Sequence, residues 1–383
     1  MKTILHTIDT TGPGGAETIF LNLVEKLTID GYKNIALIKG PGWVEEQLKK
    51  RSIEYYVLKP SGFLSINYYI QLLGFVRRHK VKLVQAHLLG SILSFSIVCF
   101  LCRLPLVATL HGQVDINSDE RAIRIKQWIM AIGVSQLVAV SKNLAEYIQT
   151  RGLFKHKKIE IIYNGIETER YFRTNTKSLL KKLGIADNAL LIGSLGNVRP
   201  AKNYNLLIEV AALLRSRMID RQIHFVIAGH KHPKLIESLY TLAKERKVSE
   251  YVHFIGFCDN TPDFLSQLDI FLLCSSSEGF SIATIEAMAA GVPVIATKCG
   301  GPEEIVTHDV NGILVEINNP AAIADAIQRL VMSDSAKLTT EAKRHVVVTF
   351  SFETMILRYR DVLGRLLKDS AITTCESVTL GGL

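Results

Sequence analysis

The chain has 383 residues, of which 48% are apolar and 21% charged, the balance of a globular protein large enough for two domains with separate cores. Its net charge of +9 is one-sided: residues 1–170 hold 22 basic and 14 acidic side chains (22 − 14 = +8), residues 171–383 hold 23 and 22 (23 − 22 = +1). No low-complexity segment is present, and the longest apolar run, 88–102, is broken by Gly90, Ser91, Ser94 and Ser96 and falls short of the ~20 residues of a membrane-spanning helix.

The first strand, 3–8, begins almost at the N-terminus, so no secretory signal is expected. It runs into Thr10-Thr11-Gly12-Pro13-Gly14-Gly15-Ala16-Glu17, where a helix over 16–27 starts. Gly14 and Gly15 allow close approach of a ligand to the backbone at the positive end of that helix. A dinucleotide fingerprint would need a glycine where Glu17 stands and an acidic residue closing the second strand, and neither is there. Hydride transfer is therefore disfavoured.

Further apolar runs at 35–38, 54–58, 83–86, 106–110, 137–140 and 159–162 read as buried strands, with helical patterns such as 66–77 between them. The run 88–102 reads as a buried helix. Within 66–82, Ile66, Tyr69, Ile70, Leu73 and Val76 recur at helical spacing ahead of Arg77-Arg78-His79-Lys80. Such a stripe suits either packing on the sheet or an anionic membrane surface. The other basic clusters, Lys49-Lys50-Arg51 and 155–158, lack interleaved aromatics, and no nucleic-acid motif is present, so nucleic acid is not expected as a partner. His111 follows the strand at 106–110 and projects at a carboxyl strand end, where ligands of parallel α/β sheets bind.

A polar stretch over 164–188 reads as irregular and places a boundary near residue 170. Strands then resume at 190–195, 224–228, 252–255, 270–273, 294–296 and 313–315. In the first loop of this half, Gly196-Asn197-Val198-Arg199-Pro200-Ala201-Lys202-Asn203, the cations Arg199 and Lys202 suit a diphosphate. The strand at 270–273 leads into Glu278-Gly279-Phe280-Ser281-Ile282-Ala283-Thr284-Ile285-Glu286. Ser281 is a fair N-cap, and Ile282, Ile285, Met288 and Ala289 continue at helical spacing. Glu278 thus lies at a strand's carboxyl end and Glu286 inside the helix, two carboxylates able to accept hydrogen bonds from sugar hydroxyls beside a helix end that attracts phosphate. A last helix spans 352–367, and 371–383 reads as a weakly ordered tail.

The expectation is an α/β protein of two doubly wound, Rossmann-like domains facing a cleft. These are residues 1–170 and residues 171–350; residues 351–383 hold the last helix, free to pack away from the second sheet, plus tail. The six cysteines, 99, 102, 258, 274, 299 and 375, read as reduced thiols of a cytoplasmic protein; Cys99 and Cys102 have no second pair to complete a zinc site. Neither a metal nor another cofactor is expected.

Taken together, these pieces resemble a retaining glycosyltransferase of family four, with the GT-B fold. The resemblance is carried, in family order, by Gly14-Gly15-Ala16-Glu17, His111-Gly112, Tyr163-Asn164-Gly165-Ile166, Lys202-Asn203 and Phe254-Ile255-Gly256-Phe257. It continues through Glu278-Gly279-Phe280, Glu286-Ala287-Met288, Gly291-Val292-Pro293-Val294, Gly300-Gly301-Pro302-Glu303 and Asn311-Gly312. It implies that Glu278 binds hydroxyls of the donor sugar and Glu286 the nucleotide ribose. Arg199 and Lys202 would cradle the diphosphate with backbone N–H groups of the loop Gly279, Phe280, Ser281 and Ile282. Gly14 and Gly15 would admit the phosphates, and His111 would contact the sugar. Family members often carry an arginine directly after the first-loop glycine, where this chain has Asn197, so Lys202 is the firmer of the two cations.

The implied partners are a nucleotide-sugar donor, UDP-sugars first and GDP-sugars next, and a glycan or lipid-linked acceptor of envelope polysaccharide synthesis, with attachment to the inner face of the membrane left open. A non-hydrolysing sugar-nucleotide epimerase and a non-catalytic sugar-nucleotide-binding partner are the alternatives.

Overall fold

The computed structural model describes residues 1–60, 65–112, 123–150, 159–172 and 178–379. The chain forms two compact units, Met1–Asn164 with Glu353–Leu383, and Gly165–Phe352. The first contains β1 (Lys2–Ile8), α1 (Gly15–Lys26), β2 (Tyr32–Ile38), α2 (Trp43–Lys50), β3 (Tyr55–Val57), α3 (Ile66–Arg78) and β4 (Val81–His87). It continues with α4 (Leu89–Cys102), β5 (Leu106–Leu110), α5 (Ile123–Gly133), β6 (Gln136–Ala139), α6 (Lys142–Thr150) and β7 (Ile159–Ile161). Every pairing is parallel, in the order β3-β2-β1-β4-β5-β6-β7. The direction of winding reverses between β1 and β4, and a crevice for ligand opens at such a switch point.

The second unit repeats the plan. It holds α7 (Ser178–Leu183), β8 (Leu190–Leu195), α8 (Tyr204–Arg217), β9 (Ile223–Ala228), α9 (Pro233–Glu245), β10 (Val252–Gly256), α10 (Thr261–Ser266) and β11 (Ile270–Leu273). These lead to α11 (Ile282–Ala290), β12 (Val294–Thr297), α12 (Pro302–Ile305), β13 (Ile313–Val315), α13 (Pro320–Met332) and α14 (Ala336–Thr349). Its parallel sheet runs β10-β9-β8-β11-β12-β13, with the switch between β8 and β11.

The central strands are buried on both faces, which is why they read as unbroken apolar runs rather than alternating ones. All thirteen strands expected from those runs are present. The core of the second unit forms where Leu207, Ile208 and Ile323 of the helices meet Phe225, Leu272 and Ile295 of the sheet. In the first, Phe20 and Leu21 of α1 and Val44 and Leu48 of α2 cover Ile38.

Three expectations are corrected. The stretch 164–188 is not wholly irregular: it holds a 3-10 turn, Thr168–Tyr171, and α7, whose Leu179 and Leu180 are buried and whose Leu179 N–H donates to Gln267 Oε1 at 2.7 Å. With two apolar anchors in six residues, α7 is too short for periodicity to reveal. The final helix, α15 (Phe352–Thr379), runs twelve residues past the expected end at Leu367, because no glycine or proline occurs between Leu367 and Gly381. The stripe on α3 is also split. Val76 turns inward with Tyr68 and Leu72, while Ile66 and Ile70 remain 77% and 61% exposed. The basic cluster 155–158 lies outside the described residues, and in the cluster at 49–51 Lys49 pairs with Glu45 and Arg51 with Glu25, each at 2.9 Å.

From Glu353 onward α15 belongs to the first unit. Tyr359 is fully buried there and shares a hydrogen bond with Thr109 Oγ1 of β5 at 3.3 Å, Val362 and Leu363 are buried beside it, and Arg365 meets Glu160 of β7 at 2.7 Å. No helix among the described residues is long and apolar enough to cross a membrane.

Candidate active site

At the second unit's switch point, the loops leaving β8 and β11 meet. A 3-10 turn over Pro200–Lys202 follows β8, and Asn203, in a left-handed conformation, starts α8. The Ser276 N–H donates to the Ala201 carbonyl at 2.8 Å, tying the two loops. The Lys202 stem lies over Gly196, where a Cβ would stand 2.7 Å from its Cε. Its ammonium reaches Glu278 Oε1 at 2.7 Å, and the same oxygen accepts from Ser275 Oγ at 2.6 Å. Lys202 and Glu278 side chains are 21% and 14% exposed, sheltered enough for their charges to be felt and open enough for a ligand to reach them. Arg199 is at the surface, at the cap of the 3-10 turn.

Glu278 is held by its backbone as well. Its N–H donates to the Cys299 carbonyl at 3.0 Å and its carbonyl accepts from Gly301 N–H at 2.9 Å, so the loop lies like a short strand on the chain leaving β12. Gly301 permits this, since a Cβ there would stand 2.6 Å from Phe280 Cα. Gly279 is half-buried, and Phe280 is buried with its ring edge-on to Phe350 at 5.5 Å. Phe280 therefore anchors the loop by its side chain and offers only its backbone to a ligand. Ser281 caps α11, its Oγ accepting from Thr284 N–H at 3.4 Å and Thr284 Oγ1 at 2.8 Å. The N–H groups of Ile282 and Ala283 have no intrahelical acceptor and form the positive end of the helix.

One turn further, Glu286 is half-buried and accepts from the Tyr171 hydroxyl at 2.6 Å. Burial pushes its pKa up to about 7, against the opposing pull of that hydrogen bond and of Arg170. The same burial and the neighbouring carboxylate raise the Tyr171 phenol well above its ordinary value, which leaves it a donor.

In the first unit, Gly14 precedes α1 with an extended backbone, Gly15 is its first residue, and the Glu17 side chain folds back into the space a Cβ on Gly14 would need. His111 follows β5, half-buried, and stacks on His87 from the end of β4 with His87 Nδ1 and His111 Nε2 2.9 Å apart. Burial holds the His111 pKa down at about 4, and burial, with His111 and His6 beside it, lowers that of His87 well below the ordinary value, so both rings are neutral at pH 7. His111 can then serve as a hydrogen-bonding group rather than a cation.

Sequence reasoning missed Tyr171, Ser275 and His87. Tyr171 and Ser275 carried no pattern, whereas His87 closes a strand run as His111 does and could have been found by the same rule. Among the described residues no cluster of three or more His, Cys, Asp or Glu could hold a metal ion.

Two family models match end to end: "Glycosyltransferase Family 4" over residues 13–170 and "Glycosyl transferases group 1" over residues 175–345. The O-antigen biosynthesis glycosyltransferase WclY of Escherichia coli is 30% identical over 281 residues, 71% of this chain and 75% of that one. The chain belongs to glycosyltransferase family four. Another relative of this family four transferase is N-acetyl-alpha-D-glucosaminyl L-malate synthase of Bacillus anthracis, 27% identical over 274 residues, 70% of this chain and 69% of that one. Among solved structures, Anabaena HepE with UDP-glucose superposes with a TM-score of 0.84 at 21% identity, covering 95% of the transferase and 99% of that chain. That likeness establishes the GT-B architecture of the two sheets.

Proposed function

We propose that this family four transferase moves a hexose, with retention, from a UDP-sugar to a glycan or lipid-linked acceptor of envelope polysaccharide synthesis. The observation that carries the reading is the convergence of the Lys202 ammonium, the Glu278 carboxylate and the start of α11 at the β8/β11 switch point. Those groups fit the two ends of a nucleotide-sugar: Lys202, with Arg199 and the N–H groups at Ile282, neutralises the diphosphate, and Glu278 accepts from sugar hydroxyls. Glu286 accepts from the ribose. The UDP and UDP-glucose held by the structural neighbours and the O-antigen role of WclY support the donor and acceptor classes.

In the reaction, the bond from the anomeric carbon to the diphosphate oxygen breaks, and the acceptor oxygen bonds to the same face of that carbon. The acceptor proton passes to the departing diphosphate. The protein orients the sugar through Glu278 and stabilises the leaving group by fixed positive charge, and the neutral His111 is the sugar contact we assign to the first unit. No D-x-D triplet occurs in the sequence, so the cations stand where other transferases use a divalent metal.

Charge supports a membrane contact for this reading. Lys2, Arg77, Lys80 and Lys82 surround an open depression of about 740 Å³ at the amino edge of the first sheet, lined also by Leu101, which is 60% exposed, as is its chain neighbour Phe100. Four cations with two exposed apolar side chains suit an anionic bilayer on the inner face of the membrane.

The test is turnover of a panel of labelled UDP- and GDP-sugars with extracted envelope glycans and lipid-linked sugars, with and without EDTA. Transfer from a UDP-sugar that survives EDTA, with the anomeric configuration kept, is expected. Isomerisation of the donor, or turnover that requires Mg²⁺ or Mn²⁺, would overturn the reading.

A further inference from the structure

The first unit carries a second polar crevice that none of the roles above uses. On the β2 side of its switch point, the carboxyl ends of β1, β2 and β3 and the start of α4 enclose a cavity of about 220 Å³. Its floor is apolar, made by Ile8, Ile38, Leu58 and Phe95, and its polar rim carries Asp9, Lys39, Tyr68, Ser91 and Ser94.

Asp9 is the informative residue. A hydrogen bond from the Gly90 backbone ties it to the start of α4, and only a glycine fits there, because a Cβ would collide with Asp9 Oδ2. The other carboxylate oxygen, Oδ1, is buried with no hydrogen-bond partner among the described residues. An acceptor left unpaired in this way carries an uncompensated desolvation cost. A ligand hydroxyl would remove that cost. Ser94 Oγ donates to the Gly90 carbonyl at 3.0 Å, so this part of the rim is organised before any ligand arrives.

Size and chemistry select the ligand. The cavity is smaller than the ~300–1,000 Å³ of sites for drug-sized molecules, a size that suits a single ring. A pyranose offers an apolar C–H face to the floor and hydroxyls to Asp9 and Ser94, with Lys39 as a donor to a ring or hydroxyl oxygen. Position excludes the reacting sugar. The α4 wall lies nearer, but in the order β2-β1-β4-β5, Lys39 and Asp9 follow strands two to three places from the one that His111 follows, about 10–14 Å at the ~4.8 Å spacing of neighbouring strands. That is farther than one sugar ring spans.

We propose that this cavity is a distal acceptor subsite, in which Asp9 and Lys39 hold one neutral pyranose ring of the acceptor glycan other than the ring being extended. The proposal rests on the glycosyltransferase reading for the word acceptor, and on the cavity alone for the sugar. The subsite makes the enzyme selective for the sugar already present in the chain, and it favours acceptors of two or more rings over monosaccharides.

The experiment is ligand-observed saturation-transfer NMR with the methyl pyranosides of glucose, galactose, mannose and N-acetylglucosamine, on the full chain with UDP present. Wild type should bind at least one of them. Asp9→Asn keeps an acceptor for Gly90 but loses the charge, and Ser94→Leu fills the cavity without touching Asp9; each should weaken binding tenfold or more. Both should keep the wild-type rise in melting temperature with UDP. Should Asp9→Asn fail to fold, Ser94→Leu decides alone. Absence of binding to every pyranoside, or equal binding by the variants, overturns the subsite. Failure of UDP to raise the melting temperature of wild type sinks the donor reading instead and leaves the sugar result standing.

Discussion

Lys202 and Glu278 face each other at 2.7 Å across the loops leaving β8 and β11, 76 residues apart in the chain. Each is the other's counter-ion before a ligand arrives, and a diphosphate must compete with the carboxylate for the ammonium. Their two substitutions therefore act in opposite directions on nucleotide binding. Lys202→Ala should weaken UDP binding and slow transfer by about a hundredfold, the ~3 kcal/mol of one well-placed donor to a leaving group. Glu278→Gln should bind UDP about fivefold more tightly, the scale of a ~1 kcal/mol partly exposed ion pair, while transfer falls for want of the sugar contact. Calorimetry with UDP and initial rates separate the two; a Glu278→Gln variant that binds UDP more weakly would refute the competition.

On the proposed ribose contact, Glu286 should give donor binding a pH dependence. Its folded pKa of about 7 lies above the ordinary 4.5, so its contribution to stability is full below about 4.5 and is lost as pH rises through about 7. Only the ionised form accepts from both ribose hydroxyls, so the affinity for UDP-glucose should rise through pH 7. Its diphosphate diester has no group titrating there. Tyr171 donates at 2.6 Å and holds that pKa down, so Tyr171→Phe should move the midpoint to higher pH and Glu286→Gln should abolish it. An unshifted midpoint in Tyr171→Phe would count against Glu286 as the titrating group.

Gly301 and Gly364 should respond to alanine with opposite signs. A Cβ on Gly301 meets Phe280 backbone at 2.6 Å and displaces the loop that carries Glu278, at about 1–3 kcal/mol of overpacking and a loss of transfer. Gly364 lies within α15 with open space where its Cβ would be, and alanine there should add up to about 1 kcal/mol of helix stability. Melting temperatures of the two variants check both.

Vesicle co-sedimentation tests the basic depression. Binding should increase with anionic lipid content and fall steeply with salt, since each cation contributes about 1 kcal/mol near such a surface. Arg77→Glu/Lys80→Glu/Lys82→Glu should abolish it, whereas Ile66→Ser/Ile70→Ser on α3 should leave it nearly unchanged. Loss of binding only in the second variant would return the contact to the α3 stripe.

By itself the sequence determined the strands, the two-sheet plan and the strand-end loops proposed to bear chemistry. Parallel strands are buried on both faces, so their apolar runs survive in one dimension, and the Ser281 cap and the glycine turns act within a few residues of themselves. Tertiary structure alone decided which loops meet. Strand order is set by crossover connections that leave no trace in periodicity: His87 reaches His111 because β4 and β5 are neighbours, and Lys202 reaches Glu278 because β8 and β11 are. The same holds for Tyr171 on Glu286, 115 residues away, and for Tyr359 on Thr109, 250 residues away, which joins α15 to the first unit. The inward turn of Val76, which split the α3 stripe, was likewise a matter of which neighbours covered it. Helical spacing states that a face is apolar, and the packing around it decides whether that face is covered.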